Sequence, residues 1–305
     1  MKWNTPVETG ISPFLLSYRD KILFLGSCFA QEIGKTMQNM GFESLVNPFG
    51  VLYNPASIAF SLEKLMTGAP FKAEDVIQND DIFKSIYHSS DYADISADGL
   101  LGRINDALAI NSAFFHNSDV VALTLGTTWI YKLREDGRVV ANCHKLPSDA
   151  FTRESLSVEE TVNILSPFIE KYPSKRWIIS VSPVRHFKDG AHENQLSKSR
   201  LLLAADELSC KYSNVCYFPS YEIVMDELRD YRFYAADLIH LNREATDYIW
   251  ERFAGFILDD KSKELLRDYK RLFEMKSHRP LFPGSKNYKE FEKRLCELEE
   301  KLKKR

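Results

Sequence analysis

Short apolar runs at residues 22–25, 120–125, 177–181 and 215–218 alternate with longer stretches of helical periodicity, and this alternation limits the fold more than any other feature of the chain. Runs this short, apolar on both faces, suit strands buried on both sides. A helix between one strand and the next carries the chain back to the same edge, so the strands lie parallel. The pattern predicts a three-layer α/β sandwich with a central parallel sheet of about five strands, a short run at 43–46 supplying the fifth.

Local punctuation agrees with that frame. Helical stretches are predicted over 29–40, 102–116, 193–211 and 221–229. Gly41 suits the left-handed position after the first of these. Asn54-Pro55 pairs a capping side chain with a first-turn proline, and that helix stops near Gly68. Ser157-Val-Glu-Glu160 is a capping box opening a helix to about 172. Asn242 caps another running to about 258. Asp136-Gly137 joins 129–131 to 138–141 as a hairpin. Residues 69–100 read as a loop-rich insertion. A domain over 1–260 is followed by a charged helical extension over 261–305, broken by Pro280 and Pro283-Gly284. There Phe291, Leu295, Leu298 and Leu302 share one stripe. It is expected to pack on its own domain, the alternative being a homodimer contact through the C-terminal helices.

Bulk properties exclude several classes. With 305 residues, 44 % of them hydrophobic, the chain can bury a substantial core. A net charge of −3 gives no electrostatic case for nucleic acid or an anionic membrane. No apolar run approaches the ~20 residues of a membrane span. The N-terminal residues show no apolar secretory segment. The five cysteines (28, 143, 210, 216, 296) are odd in number and form no Cys-x-x-Cys pair, so neither a disulfide framework nor a zinc site is expected, and a reducing cytoplasm is the simplest setting. Neither a phosphate-binding loop nor Gly-x-Gly-x-x-Gly occurs, so no cofactor is implied.

The chemistry gathers at strand ends, where parallel sheets hold their ligands. The first strand ends in Gly26-Ser27-Cys28, two candidate nucleophiles at the start of a helix. Backbone N–H groups there favour negative charge, which lowers a thiol's pKa and can hold an oxyanion. Asn47-Pro-Phe-Gly50 and Gly126-Thr127-Thr128 follow the second and third strands. Asp237-Leu-Ile-His240 lies late in the chain. With Asp and His three apart, the carboxylate can fix one tautomer while the other ring nitrogen acts as base. Plainer roles exist: Cys28 as a small buried hydrophobe, Ser27 as a helix cap, His240 as a core histidine. Cys143-His144-Lys145 is a surface turn or a pocket wall, since adjacent Cys and His rarely share a metal ion. His88 and Arg185-His186 are candidates to line the same cleft, and Arg232 to pair with a carboxylate.

Taken together these blocks resemble the SGNH (GDSL-like) hydrolase superfamily. The likeness is closer to its GSCFA branch, named for the residues standing here at 26–30. Asn47 to Pro55, Ser180 to His186 and Asp230 to His240 resemble further signatures of that branch, and the likeness covers roughly residues 18–258. The resemblance implies a flavodoxin-like sheet and an acyl-transfer site acting on an ester, such as an O-acyl carbohydrate or other small molecule. Superfamily members carry Gly-Asp-Ser with the serine as nucleophile. Alignment on Gly26 puts Cys28 on that serine and Ser27 on the aspartate. Asp237 and His240 match the late pair, Gly50 the oxyanion glycine, and Thr128 stands where an asparagine is usual. Gly126, His144 and His186 complete the expected substrate-binding set. Water as acceptor would make an esterase, an alcohol an acyltransferase; the exchanges at Cys28 and Thr128 suit a retired, non-catalytic scaffold instead.

Overall fold

The computed structural model describes residues 5–303. β1 (Ile22–Gly26) leads into α1 (Cys28–Asn39), then β2 (Ser44–Val46) and α2 (Pro55–Thr67). β3 (Val76–Asn79), β4 (Ile82–Ser85) and β5 (Ala93–Asp94) form an antiparallel sheet ahead of α3 (Ala97–Asn117) and β6 (Val120–Leu125). β7 (Trp129–Leu133), β8 (Val139–Val140) and β9 (Phe151–Ser155) form a second, followed by α4 (Val158–Lys171) and β10 (Arg176–Val181). α5 (Gly190–Lys211) and β11 (Val215–Phe218) come next. Then come α6 (Ser220–Glu222), α7 (Arg243–Ile257), α8 (Asp260–Ser277) and α9 (Lys286–Lys303).

The central sheet is wholly parallel, in the order β11-β10-β6-β1-β2. Alternate side chains of β1 feed two cores. Leu23 and Leu25 join Leu62, Leu108, Leu165 and Leu201 from α2, α3, α4 and α5, whereas Ile22 and Phe24 join Ile33, Met37, Ile249 and Phe253 from α1 and α7. The result is the three-layer α/β sandwich that the alternating runs predict. Strand order reverses between β1 and β6, so the crevice beyond their carboxyl ends is where such a sheet receives a ligand.

Gly26 makes the turn into α1 possible. Its φ is +137°, and a Cβ there would lie 2.2 Å from the Thr124 carbonyl oxygen. Predicted caps form: Asn54 accepts from the Ser57 N–H, Ser157 and Glu160 close their box, and Asn242 accepts from Ala245.

Residues 69–100 depart from the loop-rich expectation. They contain β3–β5, and α3 starts at Ala97, with Ser96 accepting from Gly99, rather than at 102. The strands are short and mostly half-buried, so they lack a clean two-residue alternation. β9 pairs with β7, widening the predicted hairpin to three strands.

In the tail, Tyr269 of α8 stacks on Tyr18 at 4.8 Å, and Tyr18 stacks on Phe42 at 4.0 Å. α9 rests on α8 through Lys276–Glu299 (2.7 Å) and Lys301–Asp268 (2.8 Å). Of its apolar stripe only Leu302 is buried. No helix among the described residues is long and apolar enough to cross a membrane.

Candidate active site

The turn after β1 is pinned on three sides. The Gly26 N–H donates to Asn47 Oδ1 (2.9 Å), the Leu52 N–H to the Gly26 carbonyl (2.9 Å), and the Ser27 N–H to the Thr124 carbonyl (3.2 Å). Cys28 becomes the first residue of α1, half-buried, and Ser27 takes the extended N-cap conformation. Yet the Ser27 hydroxyl, 1 % exposed, caps nothing and has no partner among the described residues. The N-cap side chain therefore supplies no acceptor to the first-turn N–H groups of α1. Those of Phe29 and Cys28 lower the thiol, as does Lys198, but burial outweighs them and pushes it above its ordinary range. This corrects the expectation of a lowered thiol: the helix terminus is present, and the site around it is too dry for its field to prevail.

A tight turn brings Asp237 and His240 together. Asp237 Oδ1 accepts the N–H groups of Ile239 and His240, both at 2.9 Å, and Oδ2 takes the bond from His240 Nδ1 at 2.6 Å. Leu238 adopts a left-handed φ of +56° to make this possible. The imidazole bond holds the Asp237 carboxyl down at about 2. With Nδ1–H directed to a carboxylate, Nε2 is the nitrogen left for proton transfer. The His240 side chain remains 54 % exposed.

Cys28 and His240 line one cleft of about 470 Å³, together with Tyr53, Asn54, Thr127 and His186. The Tyr53 ring meets His186 edge-on at 5.3 Å. His186 has a buried Nε2 with no partner among the described residues, and burial pulls it down to about 4, so it is neutral. The Tyr53 carbonyl takes the N–H groups of Gly126 (2.7 Å) and Thr127 (2.9 Å). A Cβ on Gly126 would stand 2.9 Å from that oxygen, so Gly126 serves close approach. Asn54 caps α2 through Oδ1, and its Nδ2 has no partner among the described residues.

Other residues expected at the site lie elsewhere. The Gly50 N–H is engaged by the Asn47 carbonyl at 2.7 Å, and Gly50, at φ +76°, packs against Ser89. Thr128 is buried, its hydroxyl between Ser155 Oγ (2.7 Å) and Ser197 Oγ (3.1 Å). It is Thr127, one residue earlier, that lines the cleft. His144 is buried with Nε2 on the Ser85 carbonyl at 2.7 Å, while its neighbour Cys143 reaches the cleft wall. His88 bonds Ser85 Oγ at 2.7 Å inside a shell of Phe49, Phe71 and Tyr92, and burial takes it down to about 3.

Lys198 is the residue that sequence reasoning missed. It is fully buried, its Nζ donating to the carbonyls of Gly126 (2.7 Å) and Ser182 (2.6 Å) at the ends of β6 and β10. Burial lowers it to about 7, and the Cys28 thiol acts in the opposite direction. The available signal was a lysine on the buried stripe of α5, at helical spacing from Leu201, Ala205 and Leu208.

None of the curated proteins matches this chain. The sequence profile of the GSCFA family matches residues 21–253, from the first residues of the sheet through the Asp237–His240 turn and into α7. That span takes in Gly26 to Ala30, the pinned turn that presents Cys28, and most of the chain besides, so the chain belongs to the GSCFA family.

Proposed function

We propose that the chain is an ester hydrolase of SGNH type working by acyl transfer through Cys28. One observation carries this: the side chain at the free end of α1 and an imidazole locked by a carboxylate line the same open cleft. Ser27 is sealed beneath the turn, which favours the thiol as nucleophile. His240 Nε2 takes the thiol proton as Sγ attacks the ester carbonyl. The oxyanion draws on the uncapped N–H groups of α1 and on Asn54 Nδ2. Collapse breaks the ester C–O bond, and the departing alkoxide receives the proton from His240. Water, deprotonated by the same nitrogen, then attacks the thioester, releasing the acid and restoring the thiol. The exposure of His240 gives water access and favours hydrolysis over transfer to an alcohol.

A raised thiol supports the rival reading, a binding protein on a hydrolase scaffold. p-Nitrophenyl acetate separates the two. The enzyme gives a burst of nitrophenolate and an acetylated Cys28 by mass spectrometry, both absent from C28A, and H240A loses turnover. A wild-type protein with neither burst nor acetyl adduct would leave the scaffold reading standing.

A further inference from the structure

Resting on the acyl-transfer reading, we propose that the cleft selects esters bearing an anionic group (carboxylate, phosphate or sulfate), held by Arg185 and Lys188. The cleft wall beyond His240 carries three cations, Arg153, Arg185 and Lys188, against one carboxylate, Asp189. The single carboxylate is already used: Arg153 pairs with it and lies over the Trp129 ring at 4.0 Å. Arg185 and Lys188 have no carboxylate partner among the described residues. This excess of positive charge stands in a chain whose net charge is −3, so it is local to the cleft.

Arg185 is held in place yet incompletely bonded. Its guanidinium lies over Phe187 at 4.7 Å and Tyr234 at 4.9 Å, which fixes its plane. Nη2 donates to the Leu238 carbonyl at 3.3 Å, and Nε, buried, has no acceptor among the described residues. The outer edge of this half-buried guanidinium, with no acceptor for Nη1 among the described residues, is where an oxyanion can dock, since a planar fork matches carboxylate and phosphate geometry. His186, held neutral by burial, and the Tyr53 phenol, which burial keeps further from ionising, carry no charge there. Because Arg185 bonds Leu238, inside the turn that carries His240, an anion docked there has a defined offset from the base. The substrate is thus an ester with its charge a short spacer from the scissile carbonyl, on the acyl or the alcohol side.

The test compares kcat/KM for matched ester pairs. Mono-p-nitrophenyl succinate against p-nitrophenyl butyrate places the charge on the acyl side. 4-Acetoxybenzoate against its methyl ester places it on the leaving group. A tenfold or greater preference for the charged member of either pair is expected. That ratio should fall towards one in R185Q, in K188Q (an exposed position that leaves the fold intact) and in high salt. Ratios near one for both pairs in the wild type, or a preference untouched by both variants, overturn the anion site while the ester reading survives. Where no ester is turned over, calorimetry with phenylphosphonate decides. Binding that weakens about tenfold in R185Q keeps the anion site without the hydrolase, and absence of binding removes both.

Discussion

Cys28 and Lys198 share a proton problem. Both are taken out of water, and each is better off charged when the other is: the ammonium lowers the thiol, and the thiolate raises the amine. Burial opposes both charges, so the resting pair favours thiol and amine over thiolate and ammonium. Iodoacetamide labelling of Cys28 should then titrate above the ~8.5 of a free thiol. A midpoint at or below the free value would mean that the helix terminus prevails after all. Lys198 also makes stability depend on pH. Its folded value is about 7, whereas an unfolded lysine holds its proton to ~10.4. Between these the unfolded chain binds more protons, so Lys198's contribution grows as pH rises and is lost as pH falls through 7. In a C28S background, which removes the thiol's titration, the unfolding free energy of C28S minus that of C28S/K198M should increase from pH 6 to pH 9.5, by a few kcal/mol in order of magnitude. A constant difference, read by urea denaturation, would place the Lys198 amine in contact with water. At this scale the sequence revealed types better than addresses. Asp237 and His240 are legible because a turn of three residues fixes their meeting locally. Thr127 and Thr128 are not, because one residue of register decides which hydroxyl meets the cleft and which meets Ser155 and Ser197. Lys198 gains its meaning only from carbonyls on two strands distant in sequence.

The element that matters most is the strand–turn–helix at β1 and α1, and a missing side chain holds it together. At Gly26 a methyl group would meet the Thr124 backbone at 2.2 Å, and the φ of +137° is closed to other residues. Gly137 also has a positive φ, +75°, but nothing stands within 4 Å of its absent Cβ. G137A should therefore cost about 1 kcal/mol, the ordinary penalty of a left-handed alanine. G26A should cost ~3 kcal/mol or more, because β1 and β6 must part to admit it. Urea midpoints for the two variants check the ordering; equal losses would show that β1 yields easily. The turn was readable in sequence because an apolar run, a glycine and a helix leave few alternatives. β3–β5 were not, since half-buried strands mix polar and apolar residues in the proportions of a loop.

Across the molecule, the sheet's carboxyl edge gathers the cleft while the tail braces the face formed by α1 and α7. α8 contributes Tyr269, which stacks on Tyr18 and fills the space above Gly41, where a Cβ would meet its ring at 2.2 Å. Leu266 and Phe273 of the same helix pack against the apolar core on that side. α9 has no comparable hold: its ion pairs run to α8, and Leu302 alone is buried. Removing the two helices should therefore have unequal effects. A chain ending at residue 285 loses exposed ion pairs, each worth ~0–1 kcal/mol, and one buried leucine. It should keep its fold and whatever esterase activity the full chain has, with a melting temperature lower by a few degrees. A chain ending at residue 259 also uncovers Tyr18, Phe42 and the outer face of α7. Burial of large apolar side chains is worth ~1.5–3 kcal/mol each, so that chain should be insoluble or melt far lower. If both truncations melt alike, α8 is not a brace. If the shorter deletion halves the mass measured by light scattering, α9 is instead the contact between two copies, and its half-buried Phe291, Leu295 and Leu298 face a partner.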